Sequence, residues 1–157
     1  MIKRIALVGV GLVVAAGIAG FLLRDDAERD DSGRIASQGK LSVFDLRVGD
    51  CLINVASKTG EQEDLEAVPC TQAHDGEVYT EIDLGDGDFP GDAFVAGKAE
   101  RGCLARLSRQ APSSEDEILY FVPNKKSWDE QDDRAVTCIA EYAEQRKGTV
   151  AAQNNGS

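Results

Sequence analysis

The stretch EVYTEIDLGDGDFPGDAFVAGKAERGCLARLSRQ, residues 77–110, contains the three features that decide the fold. Its first part, Glu77–Leu84, alternates apolar and polar residues, which predicts a half-buried β-strand. Its middle, Gly85–Gly91, is rich in Gly, Asp and Pro and is typical of a turn. Its last part, Asp92–Gln110, repeats apolar residues at helical spacing. A strand followed by a turn and one amphipathic helix is typical of a small α+β domain.

The same two patterns predict which side chains share a face. One face of the strand should carry Val78, Thr80, Ile82 and Leu84, and the other Tyr79, Glu81 and Asp83. The buried face of the helix should consist of Phe94, Ala96, Ala99, Cys103, Leu104 and Leu107. We therefore expect the helix to pack on one face of an antiparallel sheet.

Other short strands are predicted on both sides of this stretch. They lie within Leu46–Val55, Ala67–Cys70, Glu117–Val122 and Arg134–Tyr142. The polar residues 124–133 around Trp128 are predicted to form a loop. The predicted fold class is α+β, a small disulfide-bonded domain with an antiparallel sheet and one main helix, preceded by one transmembrane helix.

The N-terminus differs sharply from the rest of the chain. After Lys3 and Arg4, no charged residue occurs from Ile5 to Leu23. A helix of that length rises about 28 Å at ~1.5 Å per residue, close to the hydrocarbon thickness of a bilayer. Small residues at 16–19 would permit cleavage, but the apolar run continues past them to Leu23. Residues 1–23 are therefore predicted to form a transmembrane signal anchor that is not cleaved.

Composition divides the remainder into three parts. Residues 24–40 are polar and of mixed charge, which predicts a flexible linker. Residues 41–145 are predicted to form one extracytoplasmic domain, and 146–157 a disordered tail. The whole chain of 157 residues has a formal net charge of −11, with 28 acidic against 17 basic residues. Such a charge excludes nucleic acid as a partner, since phosphate binding needs clustered Lys and Arg.

The four cysteines, Cys51, Cys70, Cys103 and Cys138, all follow the apolar segment. An even number without a C-x-x-C pair predicts two disulfides in an oxidising compartment. This places the domain on the extracytoplasmic side of the cell membrane. Three pairings are open, and the layout of the elements favours Cys51–Cys70 with Cys103–Cys138. A zinc site using Cys70 and His74 is the alternative, but such sites usually contain two tight ligand pairs. No metal or cofactor is predicted.

His74 is the only histidine and the best candidate for a general base, with Asp75 or Glu77 as its partner. Adjacent residues of a strand point to opposite faces, so Asp75 is not expected to orient His74. No serine lies in a G-x-S-x-G motif that would supply a nucleophile. We therefore predict no catalytic residue.

Several short motifs occur in a characteristic order. They are Val48-Gly49-Asp50-Cys51, Val68-Pro69-Cys70, His74-Asp75-Gly76-Glu77-Val78-Tyr79, Phe89-Pro90-Gly91, Cys103, Pro123 with Trp128, and Asp133-Arg134-Ala135-Val136-Thr137-Cys138. In this order and spacing they resemble the septum-formation-like domain of actinobacterial envelope proteins. The resemblance covers about Val43–Tyr142. One departure is Asp132, where the resemblance leads us to expect Gly.

The resemblance implies a small extracytoplasmic domain behind a membrane segment or lipid anchor. It also implies that five residues either hold the fold or form a recognition surface, namely His74, Glu77, Trp128, Asp133 and Arg134. The expected function is a membrane-anchored binding protein of the cell envelope, linked to septum formation. Its expected partners are the cytoplasmic membrane, through Ile5 to Leu23, and an envelope or division protein. The alternative is a small envelope enzyme that uses His74 with a nearby carboxylate.

Overall fold

A computed structural model describes residues 26–57, 62–107 and 117–149. The strands are β1 (Glu28–Arg29), β2 (Ile35–Ser37), β3 (Gly39–Ser42), β4 (Cys51–Ile53), β5 (Asp64–Val68), β6 (His74–Asp83), β7 (Glu117–Phe121) and β8 (Ala135–Arg146). The helices are α1 (Asp92–Leu107) and α2 (Lys125–Gln131), with short 3₁₀ turns at Val43–Asp45 and Val55–Ser57. The prediction of a small α+β domain with an antiparallel sheet is confirmed.

Six of the strands form one antiparallel sheet in the order β3-β5-β4-β6-β8-β7. Its longest ladder joins β6 to β8, from His74 opposite Arg146 to Asp83 opposite Ala135. β1 and β2 form a separate two-stranded hairpin. Apolar side chains form two buried clusters, one on each face of the large sheet.

A register shift in β6 changes the predicted faces of that strand. The β6–β8 register shifts between Val78 and Thr80. As a result Tyr79 and Ile82, which strict alternation assigns to opposite faces, belong to the same buried cluster. Val78 packs into the cluster on the other face. The predicted alternation is wrong here because a bulge adds one residue to the strand and inverts the faces beyond it.

Helix α1 covers the face that carries Tyr79 and Ile82. Its buried residues are spaced four apart and are Val95, Ala99, Cys103 and Leu107. Phe94 and Leu104 were predicted to be buried, but their exposed fractions are 48% and 59%; Ala96 is exposed as well. The helix is turned so that Gly102 lies against the side chain of Ile82. The end of the predicted helix, residues 108–110, lies outside the described residues.

Both predicted disulfides are confirmed. Cys51 and Cys70 join the start of β4 to the residues after β5, with Cα atoms 5.3 Å apart. Cys103 and Cys138 join α1 to β8, with Cα atoms 5.6 Å apart. The second bridge therefore ties the helix to the sheet it covers.

The opposite face of the sheet encloses a second cluster. Its buried members are Ile35, Leu41, Leu46, Leu52, Val55, Leu65, Ala67, Val78 and Ile139, and Leu119 and Phe121 of β7 pack against them. Leu65 of β5 and Leu119 of β7 line one groove, although three strands separate them in the sheet. The sheet is therefore strongly curved around this cluster.

The described part of the predicted linker is folded. Within 24–40, β1 and β2 pair, and Ile35 is buried. Arg29 donates from both terminal nitrogens to the two carboxylate oxygens of Asp50, at 2.7 Å each. The Arg29–Asp50 ion pair and the buried side chain of Ile35 therefore fix this segment to the domain, although its polar composition is typical of a flexible chain.

The structure describes the first residues of the predicted C-terminal tail but none of the predicted N-terminal anchor. Of the predicted tail, Arg146 is the last residue of β8, and the Gly148 N–H donates to the Cys70 carbonyl at 2.7 Å. Residues 150–157 and the predicted anchor, 1–23, lie outside the described residues. Within 26–57, 62–107 and 117–149, no helix is both long enough and apolar enough to cross a membrane.

Candidate functional site

His74 and Glu77 lie at the start of β6, and each has an exposed fraction of 0%. Nδ1 of His74 is 2.9 Å from the carbonyl oxygen of Gln72. A carbonyl can only accept, so Nδ1 carries the proton in this bond. Nε2 is buried and has no hydrogen-bond partner among the described residues. The imidazole is therefore enclosed in the core.

Tyr142 of β8 connects this pair. Its hydroxyl donates to Oε2 of Glu77 at 2.9 Å. The centroid of the Tyr142 ring is 6.2 Å from that of His74. The Arg146 guanidinium lies over the Tyr142 ring, 3.1 Å from its centroid. Glu77 of β6 therefore has a buried hydrogen-bond partner on β8, 65 residues further along the chain.

Asp75 points away from His74, as strand geometry predicts. Its carboxylate accepts from the backbone N–H groups of Asn54 and Val55, at 3.1 and 3.2 Å. Asp75 therefore fixes the turn after β4 and does not orient the imidazole.

Trp128, Asp133 and Arg134 form a second cluster at α2. Trp128 was predicted in a loop, but it lies in this seven-residue helix with an exposed fraction of 3%. Its indole Nε1 donates to the Gly87 carbonyl at 2.9 Å, and its ring meets that of Phe89 edge-on. The Arg134 guanidinium lies 4.1 Å from the indole centroid and donates to the Trp128 carbonyl at 2.7 Å.

Capping explains why residues 125–131 form a helix. The side chains of Asn124 and Ser127 each accept from the other residue's backbone N–H, a reciprocal capping box. Ser127 also donates its hydroxyl to Asp133 at 2.9 Å. At the other end, Asp132 has a left-handed backbone with φ 56°. This is the conformation that favours glycine, the residue expected at this position from the resemblance.

The two clusters do not form a joint site. His74 is the first residue of β6, whereas the Arg134 carbonyl accepts from Leu84, just beyond the other end of that strand. A ten-residue strand is about 33 Å long at ~3.3 Å per residue. The structure thus brings together Trp128, Asp133 and Arg134, and separately His74 and Glu77.

A groove that the sequence did not predict lies on the curved side of the sheet. It has a volume of about 170 Å³ and is lined by Val55, Gln62, Leu65, Leu119, Tyr120, Phe121 and Ile139. Its walls come from segments far apart in the chain, so no local pattern could indicate it. The nearest sequence signal is the apolar run EILYFV, residues 117–122.

Three carboxylates lie beside this groove. Glu117 of β7 is directly opposite Glu141 of β8. Alternation along each strand puts them on the face that carries Leu119 and Ile139. Burial raises the pKa of Glu141, and the nearby charges of Glu117 and Asp75 raise that pKa further. The end of the groove at Glu117 is therefore a region of negative potential.

A basic groove lies on the helical side. It has a volume of about 330 Å³ and is lined by Ile82, Lys98, Arg101, Gly102 and Arg106. Arg106 donates to the Gly102 carbonyl at 3.3 Å, within its own helix. Burial raises the pKa of Tyr79 beneath the helix, and the charge of Arg106 partly opposes this increase.

Metal binding finds no support in the described ranges. No group of three or more His, Cys, Asp or Glu residues there could hold an ion. Cys70 is bonded to Cys51, so it supplies no thiolate beside His74. The zinc alternative therefore lacks its sulfur ligand.

Comparison of the chain with protein-family models, with curated proteins and with solved structures finds no match. The class that the fold itself defines is a small, doubly disulfide-bonded α+β domain.

Proposed function

We propose that this protein is a membrane-anchored, extracytoplasmic binding protein of the bacterial cell envelope. The observation that carries this proposal is that His74 and Glu77, the strongest catalytic candidates, are both fully enclosed. A general base has to come within hydrogen-bond distance of the proton it removes. The accessible features of the described residues include instead the apolar groove, the basic groove and the terminal strand β7, which are means of binding.

The proposed location is supported by the two disulfides. Such bridges persist in oxidising compartments and are rare in the bacterial cytoplasm. The uncharged segment Ile5–Leu23 supplies the proposed anchor. The proposed link to septum formation rests on the resemblance of the sequence motifs.

His74 separates this proposal from the enzyme alternative. In His74→Asn, the side-chain amide can keep the hydrogen bond to the Gln72 carbonyl, while the titratable imidazole is lost. We expect the variant to fold and to replace the wild-type protein in a deletion strain. A variant that melts like the wild type but fails to complement would support the enzyme instead.

Binding itself is tested with a photocrosslinking amino acid placed at exposed positions in intact cells. Phe44, Leu104 and Tyr120 are suitable because each side chain is more than a third exposed, at 55%, 59% and 41%. We expect a discrete crosslinked protein from at least one position. The buried position Val136 is the matched control and should give none. Absence of a discrete product at all three exposed positions would contradict a binding function.

A further inference from the structure

The large sheet has two edges, and among the described residues only the β3 edge is covered by another segment. At β3, the Ala27 N–H donates to the Lys40 carbonyl at 2.8 Å, and Asp26 forms a bridge with Lys40. At the other edge, β7 is paired with β8 alone among the described strands. No described strand pairs with the outer side of β7, so within residues 26–57, 62–107 and 117–149 its backbone groups on that side have no strand partner.

The sequence of β7 is unusual for an exposed edge. Natural edge strands are commonly protected by Lys, Pro or a bulge. Residues Glu117–Phe121 contain neither Lys nor Pro, and the register with β8 is continuous. Tyr120 of β7 and Val122, the residue after its end, are large apolar residues with exposed fractions of 41% and 39%. An edge of this kind is a template for an added strand.

The groove beside β7 supplies a pocket for a side chain of such a strand. Three of its lining residues, Leu119, Tyr120 and Phe121, belong to β7 itself. An apolar cavity of about 150 Å³ can hold benzene, so the groove of about 170 Å³ can take one Leu or Phe side chain. In strand addition, backbone bonds give affinity and such pockets give specificity.

Charge defines the chemistry of the added strand. Glu117 and Glu141 face each other at one end of β7, with Asp75 beside them. Lys125 and Lys126 follow the opposite end of β7, and Lys125 is bound to Asp129. Beyond Glu141, the Arg146 guanidinium is stacked on the ring of Tyr142, which packs on the other face of the sheet. A second copy of this chain, with its net charge of −11, would place like charges together. A cationic segment complements this edge.

We propose that β7 is the docking edge for an extended, cationic segment of a partner protein, which inserts one apolar side chain into the adjacent groove. This inference rests on the proposed binding function and specifies its surface. The basic residues of the segment lie at the Glu117 end of the strand.

The test uses the full chain in a nonionic detergent and a fluorescein-labelled octapeptide that alternates Lys with Leu or Val. We expect saturable binding by fluorescence polarisation, weakened by salt because the charges are close to the surface. The same peptide with Glu in place of Lys, and one methylated at alternate backbone nitrogens, should not bind. Equal binding of either control peptide, or no binding of the cationic peptide, would overturn the proposal.

Protein variants provide the second arm of the test. Glu117→Gln combined with Glu141→Gln should weaken binding by about tenfold, the effect of two partly exposed charges. The matched control is Asp86→Asn with Glu130→Gln, which removes the same charge at exposed positions on the turn after β6 and on α2. An equal loss in both pairs would indicate a general effect of net charge and would overturn the assigned surface.

Crosslinking in cells distinguishes this inference from the proposed function. A product from Tyr120 that disappears in the Glu117→Gln, Glu141→Gln variant supports both. Products from Leu104 or Phe44 without one from Tyr120 would keep the binding function and reject the β7 edge. No product at any of the three positions would reject both.

Discussion

The Tyr142 hydroxyl donates to Oε2 of Glu77 at 2.9 Å, inside the core and between β8 and β6. Tyr142→Phe removes this donor and deletes one hydrogen bond of the buried Glu77 side chain. We expect a loss of about 1–3 kcal/mol in the free energy of unfolding, measured by urea denaturation. Glu77→Gln keeps an acceptor for the hydroxyl and is the milder control. An unchanged midpoint in Tyr142→Phe would show that the bond contributes nothing to stability.

Removing each disulfide should destabilise the domain according to the loop it closes. The pair Cys103–Cys138 spans a sequence separation of 35 and Cys51–Cys70 one of 19. The chain-entropy model gives about 4 and about 3 kcal/mol for loops of these lengths. Double Cys→Ser variants should therefore melt below the parent, with the Cys103 pair lower. The reverse order in calorimetry would mean that strain or residual structure outweighs loop entropy.

Glu141 should make stability depend on pH. The pKa of Glu141 is higher in the folded protein than in the unfolded chain, so folding favours the protonated side chain. This contribution to stability is fully present below the unfolded-state pKa, and it is lost as the pH rises through the folded-state pKa. Glu141→Gln should then raise the melting temperature at pH 7, and the gain should shrink at pH values below 4.5, the ordinary pKa.

Glu144→Gln, exposed on the same strand, is the matched control for this effect. The prediction fails if Glu141→Gln gives the same gain at both pH values, or if the control reproduces it.

Trp128 is the only tryptophan and reports directly on α2. Because it is buried beneath Arg134, its emission should be blue-shifted and weakly quenched by acrylamide. Arg134→Ala removes the cation over the ring and the donor to the Trp128 carbonyl. We expect several-fold stronger quenching, with a smaller change in Arg134→Lys, which keeps the charge but not the planar stacking. Equal quenching in wild type and Arg134→Ala would contradict this arrangement.

Asp132 has a left-handed backbone, which glycine adopts without steric cost. Asp132→Gly should be as stable as the wild type or more stable by up to about 1 kcal/mol. The substitution removes the ion pair with Arg134, but the Asp132 side of that pair is exposed, so the loss costs little. Asp132→Val should be destabilising, since a β-branched residue is strained in this conformation. Thermal melts of the two variants measure the difference directly. A valine variant as stable as the glycine variant would argue against the left-handed cap.

The elements that follow from local patterns were predicted well. The strand from Glu117 and the helix from Asp92 follow from periodicity, and the layout of these elements favoured the observed disulfide pairing among the three that were open. The capping box at Asn124 is also local, and its sequence signal could have predicted a helix around Trp128.

Other features depend on contacts distant in sequence. Alternation around Val78 does not reveal the bulge, because the sequence fits period 2 on either side of it. The Arg29–Asp50 pair folds a segment that is polar by composition. The groove beside β7 needs the curvature of the whole sheet, which brings Leu65 to Leu119. His74 was a predicted candidate residue, but neither its position at the start of β6 nor its complete burial was predicted.

The folded hairpin that starts at Glu28 limits how far the domain can reach. In the proposed anchored form, only two residues separate Leu23 from Asp26, the first described residue. A fully extended chain advances at most about 3.6 Å per residue, so Asp26 can stand only about 11 Å from the end of the anchor. On so short a tether, the anchored domain would meet partners by lateral diffusion in the plane of the membrane. Its binding is then governed by surface density and by the orientation of both proteins relative to the bilayer.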